Sequence, residues 1–347
     1  MVKATEYTKL ILITLGLLVL FLLISLLLKS AVQVLLLIFT GILFSIFIRG
    51  LSSFLFGRFN HLPENWRIGI TLFLLVIAFS AFLILLAPQL AEQGRQLVEK
   101  IPEAFQNLRE KINHLDWLEN LFGAFGGSSA DSSAGKISSQ ALGIFTTTFG
   151  VIAGIFIILF VGLYFCFTPQ YYINGIIRLV PQNGRQRAGQ IFSALDYTLG
   201  RWLIGRFIGM LMVSVTTFIG LYFLDVPLPL SLAVLAGILT FIPNIGPIIA
   251  IIPAVLLGYT ESPATALYVI LLYLLIQGIE SYIVTPLIQQ KAVSLPPVLT
   301  LTSLVVFGST LGFLGLLLAT PLTAAAMVLV KMLYIEDVLG ETAVIGM

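Results

Sequence analysis

Residues 227–258 read PLPLSLAVLAGILTFIPNIGPIIAIIPAVLLG, two apolar arms flanking Pro243-Asn244-Ile245-Gly246-Pro247. Each arm runs about 15 residues, roughly 22 Å as a helix, short of the ~30 Å hydrocarbon core of a bilayer. Two prolines and a glycine at the junction forbid one smooth helix, because proline lacks an N–H and its ring clashes with the preceding turn. The stretch predicts a broken or re-entrant helical hairpin at membrane depth. Irregular backbone survives there only where it is buried in protein or lines a polar cavity. The plainer alternative is a tight turn between two ordinary helices of a bundle. Paired interrupted segments point to the binding site of a transporter.

Composition sets the solvent. Of 347 residues, 59% are hydrophobic and 10% charged, where a soluble domain carries about 25% charged. An all-α, polytopic integral membrane protein in contact with lipid follows. A net charge of +2 suggests no nucleic-acid partner. The single cysteine, Cys166, excludes an internal disulfide, and its setting LFVGLYFCFT reads as a buried small hydrophobe. His61 and His114 lie in polar connecting stretches, which argues against a metal site. No Walker A motif, nucleophile–base pair or metal-ligand cluster is present, so neither an ATP-driven motor nor an enzyme is expected. No cofactor is expected beyond a coupling ion, H⁺ or Na⁺. The apolar run 10–28 is too long for a signal-peptide core and reads as a first spanning helix.

About six spanning helices are expected: 10–28, 31–48, 68–87, 138–168, 207–224 and 264–290. Between the third and fourth, residues 88–136 interleave acids and bases, with apolar residues from Leu97 to Leu121 at helical spacing. This predicts an external amphipathic segment, broken or restarted at Pro102, followed by a flexible loop over 123–135. Its stripe needs a cover: a neighbouring subunit, the membrane face or its own domain. The chain thus divides into 1–87, 88–137 and a core of 138–347. Within the core, 169–206 carries five arginines and the apolar face Ile191, Leu195, Leu199, Trp202 and Leu203. It predicts a basic amphipathic helix on the cytoplasmic membrane surface.

Residues 296–334 repeat the opening theme. An arm beginning at Pro296-Pro297 is interrupted by FGSTLGFLG (307–315), and a second arm returns. Pro229 to Gly246 spans 17 positions and Pro297 to Gly315 spans 18, a loose internal repeat. Twelve Lys and Arg fall on one side of the predicted topology and six on the other. The fuller side is cytoplasmic, which places both termini inside and has the hairpins enter from opposite faces.

Glu280 is the carboxylate set deepest in an apolar helix, and an ionised group there is costly unless partnered. Gln277 shares its face and Ser281 follows it. Either the group is functional, or it pairs structurally with Lys291 or an arginine of 169–206. Asn244 and free N–H groups near Gly246 offer polar contacts at the first tip, where the second arm's N-terminus favours an anionic or oxygen-rich group. Ser309 and Thr310 take the matching place in the second hairpin. Asp225 and Glu261 read as solvated ends.

The runs FIPNIGPIIAIIPAVLLG, LIQGIESYIVTPLI and LGFLGLLLATPLTAAAMVLVK resemble the C-terminal core of the autoinducer-2 exporter (AI-2E) family of bacterial permeases. The likeness covers the layout of essentially the whole chain and is specific in its C-terminal third. It implies a multi-pass inner-membrane secondary transporter. Export of the quorum signal autoinducer-2 is implied by some members and sodium or lithium/proton antiport by others, with a homo-oligomer such as a pentamer and elevator-like movement. Pro243, Gly246, Pro247, Gln277, Glu280, Thr285 and Pro286 match the family motif. A passive channel formed by the oligomer is the competing class.

Overall fold

The computed structural model describes residues 31–57, 62–111, 153–284 and 296–340, and every regular element among them is helical. The expected first helix at 10–28, the loop at 123–135, both histidines, Lys291, Thr285 and Pro286 lie outside the described residues. The elements are α1 (Ala31–Phe56), α2 (Glu64–Leu85), α3 (Ala87–Lys111), α4 (Ala153–Phe167), α5 (Pro169–Leu179), α6 (Arg185–Phe223), α7 (Pro229–Leu239), α8 (Ile245–Glu261), α9 (Pro263–Ile279) and α10 (Pro297–Leu329). A π-helical turn follows α9 over Glu280–Val284, and another follows α10 over Val330–Glu336. Among the described residues, five helices are long and apolar enough to cross a membrane, or six if the α4–α5 pair, bent by 85° at Thr168-Pro169, counts as one.

Length alone makes α10 one of those five. Its backbone says otherwise. Gly312 lies at φ 68°, ψ −149°, a region open only to glycine. A Cβ on Gly315 would stand 2.1 Å from the carbonyl oxygen of Phe307, although eight residues of straight helix would separate them by about 12 Å. The chain doubles back, and α10 is the second hairpin. The first is α7 and α8, 11 and 17 residues long, packed against each other across the turn 240–244. Its break is Asn244 at φ 65°. The same number of positions separates Pro229 from Asn244 and Pro297 from Gly312.

α6 is the axis between them. At 39 residues it is about 58 Å long. The base of the first hairpin follows directly from its C-terminal end, where the Val226 N–H donates to Leu221 O at 3.0 Å. The base of the second is tied to its N-terminal end, where Arg187 Nη2 lies 2.7 Å from Glu336 Oε2 and 2.9 Å from Asp337 Oδ1. The hairpins therefore enter from opposite ends of α6. Their apolar residues meet in the middle: Ile242 and Ile245 pack with Leu304, Phe307, Leu316 and Ala319.

The expected division between a surface helix ending at Arg206 and a span starting at Phe207 is absent, since α6 runs through it. The apolar face at Leu199, Trp202 and Leu203 packs against Leu36, Leu43 and Ile46 of α1 and Leu318 and Ala324 of α10. That face continues in phase through Gly209, Val213, Thr217 and Leu221, all buried, so no change of periodicity ends the helix at 206. The bend that does make a separate amphipathic helix comes earlier, at Pro169, and produces α5, none of whose residues is buried.

α3 likewise continues through Pro102 to Lys111. Its first half is covered by its own chain: Leu97 packs on the α6–α9 core, and Gln93 Oε1 accepts from Ser231 N at 3.1 Å. Cys166 is buried against Ile48 and Ile68, which joins α4 to α1 and α2. Glycines let α1 and α4 approach closely, since a Cβ on Gly41 or Gly162 would stand 2.9 Å from Val161 or 2.6 Å from Phe44.

Candidate functional site

The inner face of α9 is Ala266, Val269, Tyr273 and Ile276, all buried. One more helical step along that face is Glu280, only 5% exposed. It opens the π-helical turn, a distortion that often marks functional sites. Opposite it stands Arg206 of α6, 8% exposed. Arg206 Nη1 lies 3.1 Å from Glu280 Oε1. The other carboxylate oxygen accepts from Gln277 Nε2 at 3.1 Å and Ser281 Oγ at 3.3 Å, and Gln277 Nε2 also reaches Ser281 Oγ at 2.9 Å.

The same guanidinium holds the tip of the first hairpin. Arg206 Nε donates to Phe241 O at 3.2 Å. That carbonyl is available because the break diverts its helical donor: Ile245 N bonds Pro243 O at 2.7 Å instead. One arginine thus links α6, the end of α9 and the turn between α7 and α8. Trp202 packs edge-on against Phe241, 5.8 Å between ring centroids.

The tip differs from expectation in one respect. The N–H groups of Ile245 and Gly246 are not free, since Gly246 N donates to Ile242 O at 3.1 Å. The positive φ falls on Asn244 and not on Gly246. Gly246 is required for space: a Cβ there would lie 1.8 Å from Leu239 O. Pro247 sits in the first turn of α8, where a missing N–H costs nothing.

Of the sequence candidates, Gln277, Glu280 and Ser281 share one network. Pro243, Asn244, Gly246 and Pro247 shape the tip that presents Phe241 O to it. Ser309 and Thr310 stand exposed just before the Gly312 break and donate to Val306 O at 3.1 and 2.7 Å. Asp225 and Glu261 are exposed at the base of the first hairpin, as expected of solvated ends. An arginine of 169–206 was one structural partner the sequence offered for Glu280; the structure shows that it is Arg206, which the sequence counted among surface arginines without singling it out. Its phase gives it away: it falls on the stripe of Leu199, Trp202, Leu203, Gly209 and Val213.

Chemically, the carboxylate has an amide, a hydroxyl and a guanidinium around it. A proton or a small cation on Glu280 competes directly with Arg206 for its charge. Loss of that charge would leave the buried Arg206 guanidinium without this counter-ion, which is costly.

The family model described as AI-2E family transporter matches residues 13–335. The chain is 26% identical over 301 residues to "Putative transport protein YueF" of Bacillus subtilis (strain 168), covering 81% of each chain. It is 30% identical over 151 residues to "Putative transport protein YrrI" of the same organism, covering 44% of this chain and 43% of that one. It is 26% identical over 152 residues to "Putative permease PerM" of Escherichia coli (strain K12), covering 43% of each.

Proposed function

Since this chain belongs to the AI-2E transporter family, we propose that it is a secondary transporter, coupled to a proton or ion gradient, that exports a small polar solute such as autoinducer-2. The observation that carries this reading is the buried Arg206–Glu280 pair, held against the tip of a broken hairpin. A charge pair at the crossing of α6, α9 and the α7–α8 turn couples occupancy to helix position. With Glu280 ionised, Arg206 binds it and Phe241 O together, and the three elements are clamped. With Glu280 protonated or bound to a cation, the clamp loses its ionic half, and the α7–α8 tip is free to shift relative to α6. The polar solute is placed beside Gln277, Ser281 and the tip.

We place the protein in the bacterial plasma membrane with both ends cytoplasmic, as a homo-oligomer. The test is flux in proteoliposomes with imposed Na⁺ and H⁺ gradients, for the wild type and Glu280→Gln at matched insertion. Accumulation against a concentration gradient, abolished by collapsing the ion gradient, supports coupled transport. Downhill flux alone makes it a channel, and cation-for-proton exchange without solute makes it an antiporter. Equal rates and equal pH and Na⁺ dependence in both proteins remove Glu280 from the coupling role.

A further inference from the structure

α5 leaves α4 at Thr168-Pro169 through a bend of 85°. The apolar run 138–168 is long enough to span a bilayer without it, and a helix turned at right angles to a spanning segment lies along the membrane surface. Three contacts fix how α5 is seated. Tyr172 stacks on Phe165 of α4, 4.4 Å between ring centroids. Ile177 Cδ1 would lie 3.9 Å from a Cβ on Gly189 of α6. Arg185, which opens α6, donates from Nε to Val180 O at 3.1 Å and from Nη2 to Arg178 O at 3.2 Å, closing the turn between the two helices.

These contacts leave part of the apolar arc uncovered. Tyr172, Ile173, Ile176, Ile177 and Leu179 share that arc at helical spacing, yet Ile176 is 49% exposed and Leu179 85%. Gln170, Asn174 and Arg178 follow at steps of four along the opposite side, all exposed. The charge is one-sided too. From Pro169 to Leu195 there are three arginines and no acid. Arg187 is bound to Glu336 and Asp337, whereas Arg178 and Arg185 pair with no acid among the described residues. The Arg185 guanidinium is bonded to the backbone of Arg178 itself, so both unneutralised charges arise from one turn, next to the exposed Leu179. Two cations beside an apolar strip at the end of a spanning segment match an anionic headgroup with its acyl chains alongside.

We propose that α5 lies in the membrane surface with Ile176 and Leu179 toward the acyl chains, and that Arg178 and Arg185 bind the phosphate of an anionic lipid there. This is the surface at the N-terminal end of α6, the side that the charge count assigns to the cytoplasm. Neither part depends on the transported solute or on Glu280.

The full-length protein in vesicles, in a Cys166→Ala background, tests both parts. Placement is read from nitroxides attached to Leu179→Cys and Asn174→Cys. The Leu179 site should collide with oxygen dissolved in lipid, and the Asn174 site with a water-soluble nickel chelate. Equal access of both sites to nickel would stand α5 off the membrane. A Leu179 site shielded from both reagents would mean that protein covers it. Either result overturns the placement. The headgroup is read from a dye on Leu179→Cys in mixed vesicles, quenched by brominated phosphatidylglycerol or brominated phosphatidylcholine. Phosphatidylglycerol should be enriched beside the dye. Arg178→Gln should lower that enrichment about fivefold, Arg178→Lys should keep most of it, and Arg201→Gln, an exposed arginine elsewhere on α6, should leave it unchanged. No enrichment in the parent protein, no effect of Arg178→Gln, or an equal loss in Arg201→Gln overturns the headgroup site.

Discussion

Arg206 and Glu280 are 74 positions apart in the chain and 3.1 Å apart in space, both almost wholly buried. Removing one member of such a pair costs about 3–5 kcal/mol, because the other charge is left without a partner. This changes what Glu280→Gln should do. On sequence alone the amide is the gentler buried group. With Arg206 beside it, the variant strands a guanidinium. Glu280→Gln and Arg206→Gln should each lower stability substantially, and the double variant should recover most of the loss. Thermal unfolding in detergent checks this, and a double variant as unstable as the sum of the singles would show that the pair does not act as a unit.

The first hairpin depends on Gly246 for space. Gly246→Ala places a methyl group against Leu239 O, and rearrangement of the tip should cost about 1–3 kcal/mol and reduce transport. Asn244→Gly, at a positive φ, should stay within about 1 kcal/mol of the wild type. Gly69→Ala, with open space around it, is the control. Unfolding temperature and flux, measured together, separate the three.

The second hairpin depends on Gly312 for backbone freedom. Nothing lies within 4 Å of a Cβ there, so Gly312→Ala tests conformation without a clash. The expected loss is about 1–3 kcal/mol, seen as a lower Tm. Gly308→Ala, where a Cβ meets only the Leu316 side chain at 3.3 Å, should cost less. Equal losses would mean that the turn does not require the glycine conformation.

From the charge distribution we expect residues 49–67 in the cytoplasm and 88–136 outside. In a Cys166→Ala background, an impermeant thiol reagent applied to intact cells should label a cysteine at Ser129 and spare one at Ser53. The reverse pattern would invert the orientation.

We expect assembly to use the apolar stripe of the 88–136 segment. Leu97 is covered within the chain, so the stripe further along, at Phe105, Leu108 and Ile112, is where we expect a neighbouring protomer. Changing these three to Ser should shift native mass spectra toward monomer. A wild type that is already monomeric would remove the proposal.

The sequence by itself determined the solvent, the helical class and both breaks. Those are local properties: apolar run length against bilayer thickness, proline's missing donor, glycine's conformational range. Glu280 was legible for the same reason, since a lone acid in a long apolar run is visible without any fold. Tertiary structure alone decided its partner. Arg206 lies in a segment whose five arginines look like a solvated basic face, and only the packing of α6 against α1, α9 and the hairpins shows that one of them points inward. The tip followed the same division. Its residues marked a break, but whether Gly246 was needed for its φ or for its size depended on how closely Leu239 O returns to it, a distance set by the packing of one arm on the other.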